Sequence, residues 1–261
     1  MEIVSLSPAL EPTFWEHVNQ DLPHYYFFVH DWKYNRIDTK ILLALKEKKI
    51  DGMMLIFKER MVQLRGSRES ATALLERLDL EKVEITALKQ HKQYVLEKYK
   101  PTWSHELMLM KLLKGEERLH ITHPIVTLDT SDAEQIASLM RKSDPESWGE
   151  VTSEQIVEGM SNTTSVGIKV NGELVSFGRT RLTERVGHIP TVATHEDHRN
   201  KGYATSIVSY LIKLNLEKKS IAIIYVLSDN PPAIKVYKKA GFKPYKKYYY
   251  IRGEERQSHI D

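Results

Sequence analysis

The chain has 261 residues, 38 Lys+Arg against 35 Asp+Glu, a formal charge of +3, 41% hydrophobic residues and no cysteine. So small a net charge leaves no electrostatic footprint for nucleic acid, and the apolar share suffices for packed cores rather than a disordered chain. The missing cysteine excludes disulfides, thiolate metal sites and a Cys nucleophile, and with no apolar run of about 18 residues and no basic n-region at the start the expectation is a soluble, cytoplasmic protein that meets no membrane.

The first 36 residues are aromatic-rich and broken by Pro8, Pro12 and Pro23, with a helix over about 12–19. Residues 37–48 read as an amphipathic helix. Residues 50–57 and 60–65 read as strands joined at Lys58-Glu59. Helical spacing of Ala71, Leu74, Leu75 and Leu78 predicts a helix over 67–78. A strand (83–86), a helix (88–99) and a strand (103–111) follow. The Tyr25–Phe28 aromatics, with Trp15 and Trp32, read as core. The polar stretch Lys114–Arg118 carries Gly115 and divides the chain into domains 1–116 and 117–261.

The second half starts afresh with a strand over 121–128, a helix from Thr130 or Ser131 to about Lys142 with Glu134 in its first turn, a loop over 143–147, and a helix from Ser153 to about Met160. Three strands form a meander, 164–170, 174–181 and 186–194. Its first turn is Asn171-Gly172, a hairpin signal because both residues tolerate positive φ. A long helix (about 201–217), a buried β-branched strand (221–227), a helix (231–240) closed by Gly241 and a strand (245–251) complete it. The expected fold class is α/β (α+β), a mixed sheet flanked by helices in 117–261, with an N-terminal α/β lobe that reads as a shorter, degenerate version of the same material.

Most of the chemistry lies in Thr191-Val-Ala-Thr-His-Glu-Asp-His-Arg-Asn-Lys-Gly-Tyr-Ala204. A strand ends, a polar loop follows, and a helix begins beside Gly202. Uncapped N–H groups at a helix start bind phosphate, helped by the helix dipole, and Arg199 and Lys201 add charge. An ordinary strand-to-helix turn has the same look, so this stretch alone leaves both readings open. About 25 residues later comes Ser228-Asp-Asn-Pro-Pro-Ala233, then Tyr237 and Gly241-Phe242.

Arg199-x-x-Gly202-x-Ala204 resembles the (Gln/Arg)-x-x-Gly-x-(Gly/Ala) motif of the GNAT superfamily of N-acyltransferases. Asn230, Ala233, Tyr237 and Gly241-Phe242 resemble its second signature, and the resemblance spans about residues 121–252. It implies a sheet that splays where coenzyme A inserts, and a two-lobed arrangement like that of glycine N-acyltransferases. Acetyl-CoA, or another acyl-CoA, would be the co-substrate, with no metal. Val192, Ala193 and Thr194 would meet the pantetheine arm and the oxyanion. Arg199, Asn200, Lys201, Gly202, Tyr203, Ala204 and Thr205 would wrap the pyrophosphate, and Asn230 and Ala233 would lie beside pantetheine. Tyr237 would be the general acid, its phenol of pKa about 10 donating to a thiolate near 8.5; core packing is the competing reading of that ring. His188 stands where some members carry a Glu base and would titrate near neutrality, a surface or packed histidine being the competing reading, with Glu150 and Glu184 as weaker choices. The implied reaction moves an acetyl or other small acyl group to a primary amine, on a small molecule or a peptide, by direct attack in a ternary complex, in a monomer or homodimer. A non-catalytic acyl-CoA-binding protein and an aminoacyl transferase are the alternatives.

The pairs His120/His123 and His195/His198 lack a third ligand at metal-site spacing. Asn162-Thr163-Thr164 fits a glycosylation acceptor only formally, and Lys246–Tyr250 reads as a last strand rather than a nucleic-acid surface.

Overall fold

The computed structural model describes residues 1–256. In chain order the first elements are β1 (Glu2–Ser5), α1 (Glu11–Asn19), α2 (Tyr26–Tyr34), β2 (Thr39–Lys46), β3 (Lys49–Phe57), β4 (Met61–Gly66), α3 (Arg68–Glu76), β5 (Lys82–Leu88), α4 (Lys92–Lys98) and β6 (Tyr99–Leu113). Then come β7 (Val126–Leu128), α5 (Ala133–Ser143), α6 (Pro145–Trp148), α7 (Ser153–Met160), β8 (Thr164–Val170), β9 (Glu173–Leu182), β10 (Val186–Thr194), α8 (Tyr203–Lys218), β11 (Ile221–Leu227), α9 (Pro231–Lys239) and β12 (Lys243–Glu255). Leaving aside the one-turn α6, both series run strand, two helices, three strands, helix, strand, helix, strand. The chain repeats one element order.

Two compact units form. One contains Met1–Leu109, Leu227–Asp229 and residues 246–256, the other Met110–Val226 and Asn230–Tyr245. In the first, strand order is β1-β2-β3-β4-β5-β12-β6. β4 and β5 are parallel, with Met61–Leu64 opposite Glu84–Ala87. Leu74, Leu75 and Leu78 from the α3 region pack on Val62, Leu64, Val83 and Ile85. Tyr26, Phe28 and Trp32 are buried while Trp15, Tyr25 and Phe27 are half-buried, so the expected aromatic core holds in part, with Phe14 added to it.

The helix expected over 37–48 is instead strand β2, paired antiparallel with both β1 and β3. Ile41–Leu45 is an unbroken apolar run, which fits either element locally. Cross-strand partners decide it: Leu42 faces Met54 and Leu43 faces Met53. Glu47 and Lys48, both at positive φ, close the two-residue turn to β3.

In the second unit the order is β11-β10-β9-β8-β7. The Asn171-Gly172 turn has φ of 52° and 86°, as a hairpin of this type requires. The 121–128 strand shrinks to β7, because residues 120–123 run as irregular chain whose His120 and Thr122 N–H groups donate to Ser209 and Ser206 of α8. Asp129 and Asp132, rather than Thr130 or Ser131 with Glu134, form the capping box before α5. The 143–147 loop contains α6, capped by Asp144. Ile136, Ala137 and Met140 of α5 pack with Phe177 and Ala193 on one face of the sheet, while Gly178 of β9 lies against Ile207 and Leu211 of α8 on the other. Among the described residues no helix is long and apolar enough to cross a membrane.

Candidate active site

β10 has two differently bonded halves. Val186–Ile189 pair in parallel with Ile221–Ile224 of β11, and that register ends there. A β-bulge lies between His188 and Thr191, and Thr191–Thr194 continue antiparallel on the β9 side only, opposite Arg179–Ser176. Pro190 sits in the bulge, where a missing N–H is tolerated. The bulge turns β10 away from its parallel neighbour, so Val192, Ala193 and Thr194 have their β11-side backbone groups outside the ladder. Ala193 is buried, and Thr194 Oγ1 is 2.9 Å from Ser176 Oγ.

Beyond Thr194 the chain makes a short 3-10 turn, Glu196–His198, and enters α8 through Asn200 at φ 63° and Gly202 at φ 85°. That left-handed φ favours glycine. Gly202 is the N-cap of the 16-residue α8, and no side chain caps it. The first backbone bond of the helix runs from Ser206 N–H to Gly202 O. The N–H groups of Tyr203, Ala204 and Thr205 therefore sit at the positive end of an uncapped helix, the geometry that receives phosphate oxygens. The Arg199 guanidinium donates to Ser143 O at the end of α5, and Lys201 Nζ donates to Asp197 O. Both cations thus brace the loop while standing beside the helix start.

α8 is fastened to the sheet by Asn215, whose Oδ1 accepts from Thr180 Oγ1; that hydroxyl also lies 2.9 Å from His188 O. His188 is buried on β10, and its ring meets Tyr225 of β11 edge-to-face at 5.7 Å. At the start of α9, Asn230 Oδ1 accepts from Ala233 N–H at 3.1 Å, with Pro231 and Pro232 in the first turn. Tyr237 is 7% exposed, edge-on to Phe242, and burial pushes its phenol up. It keeps its proton at neutral pH.

Two groups escape the sequence reading. His123 lies against the mouth of α8: its ring meets Tyr203 edge-on at 4.6 Å, and Nδ1 is 3.1 Å from Ser206 Oγ. A Cβ on Gly202 would come 3.3 Å from His123 Cε1. Ser206 and Ser209, two small hydroxyls three residues apart on the side of the predicted helix away from its apolar face, were the available signal. The second group is Arg179 and Arg181 on β9, alternating charges that follow a run, Leu174–Gly178, of apolar or small residues.

The first unit treats the corresponding places differently. Asp51 accepts from Ser67 Oγ and Ser70 Oγ at the start of α3, and those two bonds hold its carboxyl below the usual range. Arg65, 1% exposed, reaches from β4 to Thr86 O of β5 at 2.8 Å. Its own side chains occupy the helix start and span the parallel strands.

The parting of β10 from β11 agrees with the splayed sheet that the motif resemblance implied. Residues 133–242 match the model of the acetyltransferase (GNAT) family. Over 103 residues it is 31% identical to an N-alpha-acetyltransferase of Sulfurisphaera tokodaii, a match covering 33% of this chain and 62% of that protein's length. A Drosophila protein of known structure superposes with a TM-score of 0.72 at 9% identity, covering 96% of this chain and 98% of that one. A GCN5-related N-acetyltransferase from Sphaerobacter thermophilus superposes with a TM-score of 0.63 at 13% identity, covering 99% and 97%. At these identities the superpositions establish the fold.

Proposed function

We propose that this protein is an N-acetyltransferase whose second unit takes an acyl-CoA, acetyl-CoA first, along the open side of β10 and transfers the acyl group to a primary amine by direct attack. The observation that carries this is the continuity of Val192–Thr194, free of the β11 ladder, with the uncapped N–H groups behind Gly202. Tyr203, Ala204 and Thr205 N–H would hold the pyrophosphate, with Arg199, Asn200 and Lys201 beside it. Asn230 Oδ1 is committed to its cap, leaving its amide N–H to bond a pantetheine carbonyl, and Ala233 keeps the wall shallow.

The deprotonated amine attacks the thioester carbon. The C–N bond forms, the C–S bond breaks, and the electron pair of the C–S bond leaves on sulfur. Tyr237 O–H supplies the proton that makes the thiol, and the amide nitrogen gives up its extra proton to solvent or base. A backbone N–H at Ala193 or Thr194 would stabilise the oxyanion. His188 of β10, beside Tyr225 of β11, is the proposed base, acting directly or through water. With no cysteine in the chain, a Cys-acylated intermediate has no place in the route.

Calorimetry with acetyl-CoA, CoA and a longer acyl-CoA tests this reading. Micromolar binding that weakens in Gly202→Glu supports it. Failure of every acyl-CoA to bind the folded protein overturns it.

A further inference from the structure

Across β8, β9 and β10 the register places Ser165 opposite Arg179, and Arg179 opposite Thr191. Directly opposed residues of antiparallel strands share a face, so these side chains form one row. Ser165 and Thr191 are buried. Ser165 Oγ, Arg179 Nε and Thr191 Oγ1 are each shielded from solvent, and none has a hydrogen-bond partner among the described residues. Buried polar atoms are nearly always bonded, so three such neighbours in a row call for a common explanation.

Arg179 is the telling member. No carboxylate among the described residues is in ion-pair reach of it. Its nearest charged influence is Arg181, two residues on along β9; burial first and that second cation next push its guanidinium down to about 10. Its Nη1 lies beside α7, where a Cβ on Gly159 would come within 2.8 Å, so the missing side chain there leaves it room. A hydroxyl is content with a water. A half-buried guanidinium with its Nε shut off from water is instead satisfied by an anion, and its planar fork suits a carboxylate. The row ends at Thr191, the first residue of β10 beyond the bulge, where the strand leaves β11. An anion held there lies next to the backbone assigned above to the thioester.

We propose that the acceptor amine carries a carboxylate, and that Arg179 receives it with the Ser165 and Thr191 hydroxyls as flanking donors. This deepens the acyltransferase reading and rests on it. The carboxylate is either the α-carboxylate of a free amino acid or the acidic side chain of a peptide near its N-terminal amine. Arg179 is here a specificity-determining residue, separate from the proton-transfer groups.

The test uses the full chain and acetyl-CoA, with released thiol read by a thiol reagent to which a cysteine-free protein is silent. One arm compares amino acids with their carboxamides. The other compares peptides with Asp or Asn at the second position. The expected result is a preference of at least about tenfold in kcat/KM for the carboxylate member of one arm, and that arm names the source. Arg179→Met should erase the preference by raising KM for the carboxylate acceptor, with kcat and calorimetric acetyl-CoA affinity kept. Arg179→Lys should restore part of it. Thr191→Val, a gentler change, should weaken it if Arg179→Met does not fold. Equal rates in both arms, or a preference surviving in Arg179→Met, overturns the proposal while acetyl-CoA binding stands. Loss of acetyl-CoA binding by the wild-type protein overturns the acyltransferase reading and this proposal together.

Discussion

Protonating His24 should destabilise the first unit in a pH window that the structure fixes. The imidazole is 6% exposed, and its Nδ1 lies 2.7 Å from the Tyr248 hydroxyl. Burial, then the charges of Arg65 and Lys246, lower its pKa from 6.5 to about 2. The Tyr248 phenol is pushed up to about 12, mainly by burial, so it donates to a neutral ring. Between the two His24 values the unfolded chain binds a proton that the folded chain refuses. Stability is therefore full above pH 6.5 and falls as the pH drops towards 2. From pH 7 to pH 5 the loss from this one group is about 2 kcal/mol, or roughly 4–8 °C in melting temperature. His24→Asn keeps an acceptor near Nδ1 and removes the titration. Urea unfolding of both proteins at pH 7 and pH 5 isolates the effect, because every other titrating group is common to them. Wild type should lose about 2 kcal/mol more than the variant across that interval. Parallel losses would refute the claim that His24 is held neutral by burial against Arg65.

Gly202→Glu places a bulky carboxylate at φ 85°, against His123 and the α8 start. Acetyl-CoA affinity should fall by about 3 kcal/mol or more, roughly a hundredfold, by calorimetry, and unchanged affinity would remove the pyrophosphate assignment. Tyr237→Phe should lower kcat by roughly a hundredfold with acetyl-CoA affinity intact; full turnover would return that ring to core packing. Because burial raises the Tyr237 phenol, the rate should not decline on the alkaline side through its ionisation below about pH 10, and a limb near pH 8 that vanishes in Tyr237→Phe would contradict this.

What the sequence disclosed was local chemistry. Asn171-Gly172 and the α9 start are set by backbone preferences of one or two residues, and both lie where residue type alone puts them. The strand end, loop and helix start over Thr191–Ala204 also lie where the sequence puts them, but that stretch alone left phosphate binding and an ordinary turn both open, and the left-handed φ of Gly202 was not foreseen. Strand β2 was not readable, because Ile41–Leu45 has no period to separate helix from strand and its partners come from β1 and β3. The row Ser165–Arg179–Thr191 depends on the register of three strands and on a bulge that shifts that register by one residue. No spacing within the sequence encodes such a cross-strand alignment, although the Arg179-Thr-Arg181 alternation on an apolar strand hinted at an unusual face. His123 was missed because residues 120–123 looked like a strand end, whereas α8 hydroxyls hold them as irregular chain.

The repeated element order raises the question of how many acyl-CoA molecules one chain takes, and the two units answer it in opposite ways. Each has two parallel strands joined through a helix that starts just after the first of them. In the second unit the helix start has no side-chain cap. In the first, Ser67 caps α3 and shares the Asp51 carboxylate with Ser70, so an incoming phosphate would meet a negative charge already in place. Between the strands, Arg65 donates from β4 to the carbonyls of Leu64 and Thr86 and to Gln63 Oε1, with Tyr248 stacked under its guanidinium at 4.3 Å. Admitting a pantetheine arm would require breaking those bonds and leaving a buried cation without partners, a cost of about 3–5 kcal/mol. Calorimetric stoichiometry should therefore be one acyl-CoA per chain, and Gly202→Glu alone should abolish it. A second equivalent bound by the wild type, or residual tight binding in Gly202→Glu that Asp51→Arg removes, would mean that the first unit opens despite its internal contacts.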